Sequence, residues 1–386
     1  MRILLANKYV KVTGGADLHC LELAQGLRER GHHVAFLSTY HVDNLDQDGI
    51  FVGLNVTSTT RRDVTGRKAV QIAMRAMWNR SAAAATEELL STFRPDIVHA
   101  HKLYPQLSVA PLVVASRRHV PIIQTVHDYE FVSASAIDDT GRWRDHDETH
   151  PTYRLLNSML FAVKRWCHVP RVDKWISVSR STNEVYRSRH ISTTVLPNFT
   201  KPFDGKSHKF DDRNGILYIG RLSEEKGLHD IVNLPCLLDA GLPIIVAGHG
   251  PLTDDVRRAA AKFPNLTFLG PLDRSAVAQQ LASARIVIMP SLWREPGPLS
   301  ALEAMAAGTP LVAYDNGGLS EYVQDAKAGL VVQPFAEMLA RAITSLYHDR
   351  ETWEQFSSAA LEAAARDHTL SGYLDRLERV YLDTVM

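Results

Sequence analysis

Short apolar runs alternate along the whole chain with segments whose apolar residues recur at helical spacing. This is the pattern of parallel strands joined by crossover helices. In the first half, strands are predicted at Ile3–Ala6, Val34–Leu37, Ile97–Ala100, Ile122–Val126, Trp175–Val178 and Thr194–Leu196. Helices are expected from Leu18 to a stop at Gly31, over one long stretch Arg67–Thr92, over Tyr153–Trp166 and near Thr182–Arg189. In the second half the strands are Ile216–Ile219, Ile244–Ala247, Leu266–Gly270, Arg285–Met289 and one at Val312, and an amphipathic last helix spans Arg366–Val385.

The reading is therefore an α/β protein with two doubly wound, Rossmann-like domains. At 386 residues the chain exceeds one ordinary core. A polar stretch rich in charge, Lys201–Asn214, follows Pro197-Asn198-Phe199 and reads as a linker. The expected domains are residues 1–198 joined by 367–386, and residues 199–366.

Charge narrows the classes further. Forty-three basic residues balance forty-three acidic ones, which gives no global argument for nucleic acid or an anionic membrane. Cys20, Cys167 and Cys236 lack paired or metal-like spacing, so reduced thiols and a cytoplasmic setting are expected. Met1–Asn7 is too short an apolar run for a signal peptide, and no apolar run is long enough for a transmembrane helix. Tyr153–Trp166, apolar with Lys164, Arg165 and Arg171 at its end, leaves weak peripheral membrane contact open, although a buried helix with a solvated end is the preferred reading.

The chemistry concentrates where strands end. Thr13-Gly14-Gly15 joins a strand to a helix start, where glycine allows close backbone approach and free N–H groups suit an anion. Gly220-Arg221 and Lys226 place two cations after Ile219, suited to phosphate oxygens. Gly248 and Gly250 form another close-approach turn. In Pro290–Gly308, Glu295 sits in the turn after a strand and Glu303 on the following helix, with seven residues between them, so both carboxylates can accept from sugar hydroxyls while the N–H groups near Gly297 and Leu299 meet a phosphate. His99 and His101 are taken as polar residues at a strand end, because spacing supplies no third metal ligand. Asp145 and Asp147, in the polar segment Asp138–His150, match an Asp-x-Asp metal pattern whose usual preceding strand is missing, and no metal site is expected.

Several of these stretches resemble one family. The two glutamates with the tail Ala304-Met305-Ala306-Ala307-Gly308-Thr309-Pro310, the run Gly220-Arg221-Leu222 with Lys226-Gly227, and Arg30-Gly31-His32-His33-Val34 after Gly14-Gly15 are similar to the signatures of family-4 retaining glycosyltransferases of the GT-B fold. The resemblance covers essentially the whole chain and is most specific in the second half. It implies two domains facing across a cleft, with the last helix crossing back onto the first. It implies a nucleoside-diphosphate sugar, a UDP-sugar by preference, as co-substrate and no metal cofactor.

The roles implied residue by residue are these. Arg221, Lys226 and the N–H groups at Gly15 and Leu299 hold the diphosphate. Glu295 holds the sugar hydroxyls and Glu303 the ribose. His127 hydrogen-bonds the transferred sugar, with Asp128 as its structural neighbour, and Asn198 faces the cleft. One departure is Pro298, which has no N–H to donate where the family often carries glycine. The acceptor is a hydroxyl compound left unspecified. An epimerase or phosphorylase of the same fold, or a nucleotide-sugar-binding protein without turnover, remain as alternatives.

Overall fold

The computed structural model describes residues 1–53, 67–133, 151–203, 205 and 209–386. The chain divides into two compact units, Met1–Leu196 with Tyr373–Met386, and Pro197–Gly372.

In the first unit β1 (Arg2–Ala6), α1 (Gly15–Glu29), β2 (His33–Thr39), β3 (Gly49–Val52), α2 (Arg67–Met77), α3 (Arg80–Thr92), β4 (Ile97–Ala100), α4 (Ala110–Arg117), β5 (Ile122–Val126), α5 (Pro151–Val163), β6 (Lys174–Ser177), α6 (Arg180–Ser188) and β7 (Thr194–Val195) follow in order. The sheet is parallel with strand order β3-β2-β1-β4-β5-β6-β7.

The second unit runs through β8 (Ile216–Ile219), α7 (Leu228–Asn233), β9 (Ile244–Ala247), α8 (Thr253–Lys262), β10 (Leu266–Gly270), α9 (Arg274–Ser283), β11 (Ile286–Met289), α10 (Leu299–Ala306), β12 (Leu311–Tyr314), α11 (Gly318–Ala326), β13 (Gly329–Val332), α12 (Ala336–His348) and α13 (Arg350–Asp367). Its parallel sheet has the order β10-β9-β8-β11-β12-β13. The last helix is α14 (Leu370–Val385). Both sheets are thus doubly wound α/β sheets of the Rossmann type.

The strand sequences explain why helices cover both faces. In the second unit Ile216, Tyr218, Ile286 and Ile288 point into one core and Leu217 and Val287 into the other, so successive residues bury on opposite sides. Each fully buried Leu or Ile contributes about 1.5–3 kcal/mol over an exposed one. A continuous apolar run is what such a strand requires.

Four expectations change. The stretch Arg67–Thr92 is two helices, because Asn79 leaves the helical conformation and caps α3: its side-chain oxygen accepts from Ala82 N–H at 3.0 Å while its amide donates to Gln106 C=O at 2.8 Å. The final helix starts at Leu370 rather than Arg366, since Arg366 lies in the last turn of α13 and His368 breaks the helix so that its carbonyl accepts from Thr200 N–H at 2.9 Å. Strands β3 and β13 were not anticipated. The stretch Tyr153–Trp166 inverts the preferred reading: Leu155, Met159 and Trp166 are exposed, whereas Lys164 is buried against Glu130 at 2.6 Å. The Asp138–His150 segment, with Asp145 and Asp147, lies outside the described residues. Among the described residues no helix is long and apolar enough to cross a membrane.

Candidate functional site

In the second unit the sheet order reverses between β8 and β11, and open α/β sheets bind ligands beyond the carboxyl ends of strands at such a point. The loops leaving these two strands are laced together there. The carbonyl of Glu225 accepts from the N–H groups of Leu292 at 2.9 Å and Trp293 at 3.0 Å.

Lys226 and Glu295, expected as separate ligand contacts, are an ion pair in this structure. Ser291 donates a second hydrogen bond to the same Glu295 oxygen at 2.7 Å. Glu295 is only 5% exposed, and a carboxylate withdrawn that far from water is tenable because it is paired. Arg221 differs: its side chain is 65% exposed and stands 3.8 Å from Glu225. A buried carboxylate held by an ammonium, beside an exposed guanidinium, gives the loop both hydroxyl-accepting and phosphate-gripping groups.

Backbone geometry fixes Glu295 from behind. Gly318 N–H donates to its carbonyl at 2.6 Å, and Gly317, at φ +71°, approaches so closely that a Cβ there would stand 2.6 Å from the same oxygen. Similarly, Gly248 has φ +138° and a Cβ on it would lie 1.9 Å from the Gly220 carbonyl; at Gly250 it would lie 2.3 Å from that of Leu222. These two glycines are needed first to bring the loop after β9 against the loop after β8.

Pro298 is the N-cap of α10, φ −72°, so it stands before the helix and not inside it. The first-turn N–H groups of Leu299 and Ser300 have no intrahelical acceptor by helix geometry and remain directed at the helix start. Glu303 is half-buried on the same helix. Asn198 is buried, and its side-chain amide donates to the Gly297 carbonyl at 2.7 Å while its own carbonyl meets His368 Nδ1 at 2.9 Å. It therefore holds the turn before α10 in place.

In the first unit the reversal lies between β1 and β4. Gly14 caps α1 in an extended conformation, without a side-chain cap, and among the described residues nothing beyond its own chain neighbours lies within 4 Å of the position its Cβ would take; Gly15 opens the helix. His127 follows β5 and its Nε2 is 3.0 Å from Nδ1 of His101, the two rings stacked at 18°. His19 of α1 packs edge-on to His127 with centroids 5.1 Å apart. One nitrogen from each of His19, His101 and His127 lies within 4.8 Å of the others, a grouping that could hold a metal ion. The sequence supplied no third ligand beside His99 and His101, and here the third and fourth imidazoles come from α1 and β5. His99 itself is spent on structure, with Nδ1 2.7 Å from Tyr381 Oη and Nε2 2.8 Å from Thr125 Oγ1.

Burial keeps these rings neutral: it lowers the pKa of His19 and of His99 to about 3, and those of His101 and His127 well below the usual value. Asp128 pairs with Lys102 at 2.5 Å; burial would raise its pKa, but the ammonium outweighs that and the net shift is downward.

Comparison with known proteins agrees with this geometry. The model of the family described as Glycosyltransferase Family 4 matches residues 13–202, and that described as Glycosyl transferases group 1 matches residues 200–363. A glycogen synthase of Mycobacterium tuberculosis is 29% identical over 413 residues, covering 99% of this chain and 94% of the relative. Among solved structures, sucrose-phosphate synthase from Thermosynechococcus elongatus has a TM-score of 0.73 at 19% identity, covering 99% of this chain and 98% of that one. HepE of Anabaena, solved with UDP, has a TM-score of 0.69 at 16% identity and covers 99% of this chain and 100% of that one. With two Rossmann-type sheets, laced loops at the carboxyl ends of β8 and β11, and family matches that together run from residue 13 to 363, the chain belongs to the family-4, group 1 glycosyltransferases, which take sugars from nucleotide-sugar donors.

Proposed function

We propose that this enzyme is a retaining, metal-independent transferase that moves a sugar from a UDP-sugar to a hydroxyl acceptor. The observation that carries the reading is the buried Glu295 held by Lys226 and Ser291 at the β8/β11 reversal, beside Arg221 and the start of α10. The choice of UDP is supported by HepE, which was solved with that nucleotide.

The hard step is to expel a doubly charged diphosphate while positive charge builds on the sugar ring. Arg221 and Lys226, with the N–H groups of Gly15 and Leu299, stabilise the leaving oxygens, taking the place of a metal. Glu295 accepts from sugar hydroxyls and Glu303 from the ribose. Gly14, Gly248, Gly250, Gly297 and Asn198 shape the loops about the donor. His127, as a neutral imidazole, hydrogen-bonds the transferred sugar. The acceptor attacks from the face the diphosphate leaves, and a phosphate oxygen assists its deprotonation. Leu155, Met159 and Trp166, exposed on and after α5, support weak peripheral contact with the inner face of a membrane in a cytoplasmic enzyme.

The test is direct. Donor and product anomers are compared by NMR, with activity measured in EDTA and binding measured for UDP, ADP and GDP. The expected result is a product with the donor's configuration, undiminished activity in EDTA, and tightest binding of UDP. An inverted product refutes retention. Activity lost in EDTA and restored by zinc or manganese refutes the cation clamp and makes the His19, His101 and His127 group, or Asp145 and Asp147, the metal ligands to examine.

A further inference from the structure

The carboxyl edge of the first sheet gathers three imidazoles from three elements. β4 and β5 are neighbours, and each is followed at once by a histidine, His101 after Ala100 and His127 after Val126. α1, which comes after the adjacent strand β1, adds His19. His19 and His101 are each 1% exposed while His127 is half-buried, so the group is reached from solvent on the His127 side.

A buried histidine is ordinarily a core residue with both nitrogens spoken for, and His99, bound to Tyr381 and Thr125, is one. His101, two residues on, is not. Its Nδ1 meets another imidazole, His127 Nε2 at 3.0 Å, and its buried Nε2 has no hydrogen-bond partner among the described residues. Packing nevertheless fixes the rings: His99 lies against His101 with centroids 4.4 Å apart, and Tyr373 stands edge-on to His19 at 5.3 Å.

These spacings suit a metal ion. Tetrahedral zinc takes imidazole nitrogens at about 2.0–2.1 Å, which sets two such ligands about 3.3 Å apart. The His101–His127 pair is within a few tenths of an ångström of that separation, and one nitrogen from each of the three rings lies within 4.8 Å of the others, so closing the third ligand onto the ion takes a side-chain shift of about 1.5 Å or less. A set made of imidazoles alone favours zinc and cobalt over magnesium and calcium, and three protein ligands leave a fourth position for water. On binding, the proton that His101 and His127 share moves to the outer nitrogen of its own ring, so both stay neutral ligands and no proton is released.

We propose that His19, His101 and His127 form an inhibitory site for a divalent transition-metal ion of the zinc and cobalt class, and that the bound ion silences the enzyme by occupying the His127 nitrogen that otherwise serves the transferred sugar. This rests on the reading above that His127 hydrogen-bonds the sugar and that transfer itself needs no metal.

The test uses the full chain stripped with EDTA, with zinc or cobalt as the only added metal. Wild type should bind one zinc per chain in titration calorimetry, cobalt should give the visible absorption of a tetrahedral nitrogen site, and nitrogen NMR should show the ring signals of three histidines moving together as zinc is added. Magnesium should do none of this. His19→Gln and His101→Gln should each weaken zinc by at least about a hundred-fold, since even the residues behind metal ligands are worth ten- to a hundred-fold. Each should also raise by a similar factor the zinc concentration that halves its own activity. His229→Gln, which removes an exposed histidine, should change neither quantity. The wild-type spectra decide the site even where a variant fails to fold.

Zinc bound as tightly by both variants as by wild type, or no shift of three histidines in the wild-type spectra, overturns the site. Inhibition equally strong in wild type and variants, as zinc on the donor's diphosphate would cause, overturns the inhibitory assignment. Zinc held by the three rings without inhibition overturns it too, and takes the His127 contact with the sugar with it. Activity lost in EDTA and regained through these rings refutes metal independence together with inhibition. If zinc fails to bind while the stripped enzyme transfers sugar with retention, this site fails and the functional reading stands.

Discussion

Acidification should destabilise the first unit well before its carboxylates titrate. His19 and His99 are almost wholly buried, and burial lowers each pKa to about 3, against about 6.5 in an unfolded chain. Between those values the unfolded state binds protons that the folded state refuses, so the stability these rings permit is complete above pH 6.5 and is lost as pH falls toward 3. From pH 7 to pH 5 each ring costs about 2 kcal/mol, and the pair about 4 kcal/mol. His101, His127 and His168, also shifted well down by burial, push the same way. For a unit of this size a loss of 1 kcal/mol lowers Tm by roughly 2–4 °C, so the pair alone predicts a fall of about 8–16 °C. Calorimetry at pH 7, 6 and 5 measures it, and His19→Leu should flatten the dependence by about one proton. A Tm steady to within a few degrees across that range, or a His19→Leu slope equal to wild type, would refute the reasoning.

Three further outcomes are expected. Lys226→Ala should lower kcat at least tenfold and also lower Tm, because it strands the buried Glu295 carboxylate, whereas exposed Arg221→Ala should lower kcat by a similar factor and leave Tm nearly unchanged; equal melting of the two variants would contradict this. Glu303→Ala should weaken free UDP and the intact donor alike, while Glu295→Gln should spare free UDP and reduce turnover, and equal loss of UDP affinity in both would remove the division of roles. Flotation with anionic vesicles should show weak binding abolished by salt and reduced by Trp166→Ser; tight, salt-resistant binding would show that Trp166, Leu155 and Met159 act as a stronger anchor than a peripheral contact requires.

What could be read directly from the chain was whatever is encoded locally. Strand–turn–helix units show as apolar runs followed by glycine or proline, and Glu295 and Glu303 lie on one such unit, so their neighbourhood was visible from spacing. The Lys226–Glu295 pair was not, because residues 69 apart in sequence meet only through the adjacency of β8 and β11. His19, His101 and His127 escaped for the same reason, being gathered from α1 and from the loops after β4 and β5. The break at Asn79 did have a signal: an asparagine shortly before an alanine-rich run is a capping residue, although helical spacing continues on both sides of it. The exposure of Leu155 and Met159 carried no such signal, since an apolar helix looks alike whether it is covered or not.

The placement of Tyr373–Met386 in the first unit bears on the order in which the protein is made. On the ribosome the first two hundred or so residues emerge early, yet the pocket that encloses His99 is closed by Tyr381, and Tyr373 packs edge-on to His19 at 5.3 Å. Pro197–Gly372 can complete its own core as soon as it is synthesised, whereas the half translated first has to wait, with an apolar surface uncovered, until its final helix arrives. A nascent chain stalled after Gly372 should therefore present a protease-resistant second unit joined to a protease-sensitive first one.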